Sequence, residues 1–208
     1  MDEAFWDERY RSAPQVWSGE PNPHLLTDTE ALSPGSALDV GAGEGADSIW
    51  LAEQGWQVTA VEWSTVARER GREHAAERGP SVADRITWLH ADLTVWEPPA
   101  ASFDLVSVHF MHLPSAERTP MYRRLAAAVA PGGLLLVVGH HPSDLETGVR
   151  RPADPDLLFT AEAIADDLAD GWTILSCDAR PRAAVGPDGE EVTVHDAVLA
   201  ARAPERAD

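Results

Sequence analysis

The segment from Ala37 to Ser64, ALDVGAGEGADSIWLAEQGWQVTAVEWS, constrains the fold of this 208-residue chain more than any other stretch. A short apolar run, Ala37 to Val40, carries one acid, Asp39, and leads directly into Gly41, Gly43 and Gly45. Glycine there permits positive φ and lets a ligand approach the backbone. Helical periodicity follows in Ile49, Trp50, Ala52 and Glu53, and Gly55 stops it. Val58, Ala60 and Val61 then form a second strand that ends on Glu62. Glu62 lies twenty-one positions after Gly41, where a strand–turn–helix–strand unit of this kind sets a carboxylate on ribose hydroxyls.

Gly41, Gly43 and Ala46 also satisfy the loose dinucleotide pattern G-x-G-x-x-G/A, so the glycines alone leave two readings open. The longer form D-x-G-x-G-x-G, here Asp39, Gly41, Gly43 and Gly45, resembles motif I of the class I S-adenosylmethionine-dependent methyltransferases. The chemistry agrees with that resemblance. A pyrophosphate needs a free helix N-terminus, whereas S-adenosylmethionine carries a sulfonium and an ammonium and no phosphate. An acidic turn with Asp39, Glu44 and Asp47 suits the cations and repels the pyrophosphate.

The length fits one domain, expected to span 1–208, with enough chain to bury a core without staples. Cys177 stands alone, and nothing near Met1 joins a basic region to an apolar run, so a reducing, cytoplasmic setting is expected. No apolar stretch reaches the length of a membrane span, and no membrane partner is expected. A formal net charge of −19 disfavours nucleic acid as a partner, since phosphate backbones are bound through clustered Lys and Arg. Oligomeric state has no signal in the sequence.

Residues 1–32 precede the core, 33–208, and are aromatic and amphipathic, with Phe5, Trp6, Arg9 and Tyr10 at helical spacing and Trp17 in a Pro- and Gly-rich loop. Phe5 and Tyr10 read as the packed face of an accessory helix. The W-x-x-R-Y and later Trp pattern looks like the N-terminal lid of the thiopurine and tellurite-resistance methyltransferases, which implies that Trp6, Arg9 and Trp17 cover the cofactor, Trp17 foremost. Asn22 is a natural N-cap for a second helix running to Leu32.

After the opening unit, Ser64 caps a charged, solvent-facing helix over 65–78, and Ile86 to His90 forms a third strand followed by A-D-L, Ala91 to Leu93. The resemblance implies that Trp63 stacks on adenine, that Asp92 accepts from its amine, and that Asp39, Gly41, Ala42, Gly43, Glu62 and Leu93 complete the cofactor site. Phe103 to His109 is a fourth strand, then a helix over 115–130 capped by Ser115, a PGG turn, and a buried strand from Leu134 to Gly139.

His109 and His112 follow the fourth strand and His140 follows the fifth, at the carboxyl ends where an open α/β sheet binds ligands. They are candidate general bases or substrate contacts, with hydrogen-bonded structural roles as the alternative. No metal is expected, because the two histidines three apart lack a third ligand at a convincing spacing. The loop over 142–155 is long enough to be a substrate-binding segment. A helix over 160–170 and a β-hairpin from Trp172–Arg180 and Val192–Ala201 close the chain.

The expected fold is α/β: a Rossmann-like three-layer sandwich with a seven-stranded, mainly parallel sheet and one antiparallel strand in the C-terminal hairpin. The implied function is methyl transfer from S-adenosylmethionine to a small-molecule thiol, phenol or heterocycle. The alternatives are a protein that binds S-adenosylmethionine without transfer, or a dinucleotide-dependent oxidoreductase.

Overall fold

The structure, a computed structural model, describes residues 2–152 and 154–205. The strands are β1 (Ser36–Val40), β2 (Gln57–Glu62), β3 (Ile86–His90), β4 (Phe103–His109), β5 (Val129–His140), β6 (Thr173–Val185) and β7 (Glu191–Arg202). The helices are α1 (Glu3–Arg11), α2 (Pro23–Thr29), α3 (Ala46–Glu53), α4 (Thr65–Glu77), α5 (Pro80–Ala83), α6 (Ser115–Ala128) and α7 (Ala161–Ala165). All seven strands join one sheet in the order β3-β2-β1-β4-β5-β7-β6. The β1 strand pairs in parallel with β2 and β4, β2 with β3, and β4 with β5, while β7 runs antiparallel between β5 and β6.

Alternation along the strands divides the core between two faces. Leu38, Val40, Val106, Val108, Leu135 and Val137 meet Met121, Tyr122 and Leu125 of α6. Ala37, Leu105, Leu136 and Val138 meet Leu25 of α2 and Leu51 of α3. Apolar layers on both faces are what a parallel sheet with crossover helices requires. This is the expected three-layer sandwich with one antiparallel strand. Its parallel strands all end on the same side, so the glycine turn, Glu62, His109 and His140 share one edge.

Two N-caps form as expected: the side chain of Asn22 accepts from His24 N and that of Ser64 from Ala67 N. Ser115 does not cap α6. It is the first helical residue, and Asp156 accepts from its N–H and its hydroxyl at 2.8 and 3.0 Å. The PGG segment lies within β5, with Gly132 at φ 73° and a register shift against β4. Thr160 caps α7, which ends at Ala165, short of the expected length. The hairpin extends past its expected ends, to Val185 and back from Glu191. Among the described residues, no helix is long and apolar enough to cross a membrane.

Candidate active site

The glycine turn between β1 and α3 holds Gly41, Gly43 and Gly45 at φ 73°, 55° and 90°, which side chains with a Cβ rarely adopt. Glu62, at the end of the adjacent strand and only 7% exposed, ties this turn to its own strand end. Its Oε2 accepts from Gly43 N at 2.9 Å and its Oε1 from Ser64 N at 2.7 Å. Burial pushes the Glu62 carboxyl up, and the backbone N–H groups of Ser64 and Gly43 pull it back down. Each oxygen retains lone-pair capacity for a ligand hydroxyl. Beneath the turn, Asp39 accepts from the Ser48 hydroxyl at 2.5 Å, and burial together with the neighbouring Asp47 raises its pKa.

The N-terminal segment folds over this turn. Tyr10, expected only to pack a helix, is 4% exposed, and a Cβ placed on Gly43 would meet its Oη at 3.0 Å. Trp17 donates through Nε1 to that same Oη at 3.0 Å, leaving its ring 49% exposed. The Arg9 guanidinium stands 5.6 Å from the Trp17 ring centroid. Glu44 anchors the loop. Its Oε2 accepts from Val16 N and Trp17 N at 3.0 and 3.4 Å, and its Oε1 accepts from Arg70 Nη1 at 2.9 Å. Together with the carboxyl ends of the strands, the segment encloses a cleft of about 1160 Å³ whose lining includes Trp6, Trp17, Gly41, Ala42, Glu62 and Trp63.

The three histidines have different surroundings. His109 shares a 2.7 Å hydrogen bond between Nδ1 and Asp47 Oδ2, while its Nε2 is buried with no partner among the described residues. Asp47 Oδ1 also accepts from Asn22 N at 2.6 Å, so the pair reaches the N-terminal segment. At Phe110 the chain turns with φ 52°, a conformation costly for a bulky side chain, and the following residues enter the cleft. His112 there lies nearly parallel to His140, with ring centroids 5.0 Å apart, and Phe110 flanks His140 at 4.7 Å. Burial lowers the pKa of both, that of His140 to about 3, with Arg151 contributing in each case. The lowered pKa makes each a weaker base near neutrality than a free imidazole.

Asp39 and Asp92 are not part of the cleft lining. Asp92 spends Oδ1 on Thr94 N and Thr94 Oγ1, at 2.9 and 2.7 Å, closing a local turn, while Leu93 and Thr94 themselves line the cleft. Asp39 ties the end of β1 to α3 through Ser48. The 142–155 loop contributes no described residue to the lining. Its buried Asp144 accepts from His195 N and from Arg151 instead, which pins the loop to the hairpin.

The hairpin supplies two cleft residues that the sequence did not single out, Arg182 and Asp196. Asp196, 1% exposed, sits opposite His140 in the β5–β7 pairing and accepts from Arg182 Nε at 2.7 Å. His24 Nε2 lies 3.3 Å from the same oxygen. Burial opposes ionisation of Asp196, but His24 and Arg182 hold its carboxyl below the usual range. An acid directly before the apolar run from Ala197 to Ala201 was the signal available for it. No cluster of three or more metal-binding side chains occurs among the described residues.

Residues 37–133 match a family described as a methyltransferase domain. A glycine N-methyltransferase of Oryctolagus cuniculus is 34% identical over 131 residues, 55% of this chain and 44% of its own. An uncharacterized methyltransferase of Mycobacterium bovis is 34% identical over 137 residues, 65% of this chain and 66% of its own. The matched segment belongs to this methyltransferase-domain family, and together with the fold it supports a class I S-adenosylmethionine-dependent methyltransferase. It spans under half the length of the glycine N-methyltransferase. A solved methyltransferase of this fold, the 1,6-didemethyltoxoflavin-N1-methyltransferase of Burkholderia thailandensis with bound 1,6-didemethyltoxoflavin and S-adenosylhomocysteine, superposes with a TM-score of 0.69 at 20% identity, covering 98% of this chain and 87% of that one.

The residues fit the family's cofactor. S-adenosylmethionine offers two cations to a turn edged by Glu44, Asp47 and Glu62, and a ribose to a carboxylate with spare lone pairs. A Cβ on Gly41 would come 2.7 Å from the flexible Met111 side chain, and the positive φ of 73° is what favours glycine there.

Proposed function

We propose that this methyltransferase transfers a methyl group from S-adenosylmethionine to a small-molecule acceptor, a thiol, phenol or heterocycle. The observation that carries the reading is that one confined cleft joins the acidic glycine turn to a wall of Trp17, Phe110, Met111, His112 and His140. Such a lining suits a small, partly apolar acceptor. The rabbit relative is likewise named for a small acceptor, glycine.

When bound, S-adenosylmethionine supplies a methyl group on a sulfonium, open to in-line displacement. The chain's own tasks are to hold, align and exclude water. Gly41, Ala42 and Gly43 let the ligand approach, Glu62 takes ribose hydroxyls, and Trp63 and Leu93 flank the adenine. Asp39 and Asp92 act from behind by fixing their turns. Residues 1–32 serve as a lid on the 33–208 core of a single domain, with Trp17 and Trp6 as its aromatic cover and Tyr10 as its seat. For an oxygen or nitrogen acceptor that must lose a proton, His109 is the base, its Nδ1 oriented by Asp47. The setting is cytoplasmic, and the acidic charge argues against nucleic acid as a substrate.

The test is incubation with methyl-labelled S-adenosylmethionine and a panel of thiols, phenols and heterocycles. Label on a small acceptor is the expected result. Tight binding with no transfer on any acceptor would favour a non-catalytic binder, and transfer to macromolecules alone would defeat the reading.

A further inference from the structure

The far wall of the cleft, away from the glycine turn, is built differently from the rest of this acidic protein. Arg182 fronts it with a side chain 37% exposed, while its partner Asp196 stands behind at 1%. The Nε of Arg182 is the atom spent on Asp196, so the two terminal guanidinium nitrogens are free of that bond. Arg151, backed by the fully buried Asp144, adds a second guanidinium behind His112 and His140. At both pairs the carboxylate is the more deeply buried partner.

The histidines add donors. Nε2 of His112 and Nδ1 of His140 are buried with no partner among the described residues. A neutral imidazole carries one N–H, and a buried donor without an acceptor is costlier to leave unpaired than a bare lone pair. The N–H therefore belongs on the other nitrogen of each ring, Nδ1 of His112 and Nε2 of His140. Both rings line the cleft and stack on each other, with Phe110 tilted at 42° against His140. The stacked imidazole pair, its two N–H donors and a fronting guanidinium form a receptor for a planar group bearing negative charge.

The geometry points to an acceptor bound as an anion, an arenol or arenethiol in its phenolate or thiolate form, received between Arg182 and the His112–His140 pair. This rests on the methyl-transfer reading of the same cleft. The anionic oxygen or sulfur forms the new bond to the methyl carbon, the carbon–sulfur bond of the sulfonium breaks, and its electron pair stays on that sulfur. Negative and positive charge cancel, and no proton moves in the step. His112 and His140 then act as donors that hold the nucleophile, and not as bases.

The probe is para-nitrophenol, whose phenolate is coloured and whose ionisation falls near neutrality, titrated into protein saturated with S-adenosylhomocysteine. The expected result is an apparent pKa for the bound probe lowered by about one unit or more, meaning the phenolate binds at least ~10-fold tighter than the phenol. Arg182→Met should abolish the shift and Arg182→Lys should keep part of it, with thermal melts showing that both variants fold. If Arg182→Met is unfolded, His140→Phe, which keeps the stack and removes the donor, should reduce the shift. An unchanged or raised probe pKa, no probe binding while S-adenosylhomocysteine binds, or the same shift in a folded Arg182→Met protein overturns the proposal. Transfer to neutral amines only would sink it and leave the methyl-transfer reading standing. A lowered probe pKa with no transfer to any acceptor would do the reverse.

Discussion

Replacing Glu62 should weaken the cofactor site and the fold together, and the structure lets the two be separated. The Glu62 carboxylate receives Gly43 N–H and Ser64 N–H, one on each oxygen, at 2.9 and 2.7 Å. Hydrogen bonds to a charged group contribute roughly 1.5–3 kcal/mol each. Glu62→Ala leaves both N–H groups without their acceptor, and water entering from the cleft compensates in part, so about 3 kcal/mol is the expected loss. For a domain of this size that is a fall in Tm of roughly 6–12 °C. Glu62→Gln retains one carbonyl oxygen and sets an amide NH₂ against the second backbone donor, so it should cost about half as much. Ligand affinity falls for a further reason, the lost ribose contact, at roughly 1.5–3 kcal/mol, or about 10- to 100-fold in Kd. Calorimetric titration with S-adenosylhomocysteine, alongside thermal melts, reads both quantities. A Glu62→Gln protein that melts lower yet binds with unchanged Kd would show that Glu62 is purely structural, and would refute the assignment.

Trp17→Ala should lower turnover several-fold with a small change in Tm, because the ring is half exposed and the loop is also anchored through Glu44; an unfolded variant would contradict this, and a fully active one would remove the lid. His140 introduces an acid-side liability: its folded pKa of about 3 lies below the unfolded value of ~6.5, so the unfolded chain binds more protons across that window and stability falls with decreasing pH. Between about pH 7 and about pH 5 this costs on the order of 2 kcal/mol, and His140→Asn should show a correspondingly flatter stability profile in denaturant titrations; parallel profiles would refute it. Methyl transfer should be unaffected by a chelator, and loss of activity restored by a divalent ion would show that the histidines bind metal.

Features set by near neighbours were legible in the sequence. The glycine turn, the position of Glu62, and the caps at Asn22 and Ser64 each depend on a few adjacent residues or on one strand–helix–strand unit. The mainly parallel sheet with one antiparallel strand followed from alternating strands and helices closed by a hairpin. What escaped was set by distant partners. Glu44 holds Val16 across 28 positions, and Asp196 meets His24 across 172. Nothing local to Tyr10 shows that its hydroxyl will rest over Gly43. The pattern around Asp92 is satisfied by its own turn with Thr94, which the resemblance alone did not reveal. The differences among the histidines were not legible for a physical reason: three imidazoles at strand ends look alike in sequence, but burial makes His140 a weaker base, while Asp47 gives His109 an orienting partner.

The central claim is that the acidic glycine turn and Glu62 form a site for S-adenosylmethionine and not for a dinucleotide. Calorimetric titration of the wild-type protein with S-adenosylhomocysteine and with NADH, under identical conditions, tests it most directly. The account predicts saturable, one-to-one binding of S-adenosylhomocysteine and no measurable heat from NADH, whose pyrophosphate meets Glu44 and Asp47. Binding of NADH as tight as or tighter than that of S-adenosylhomocysteine would contradict it.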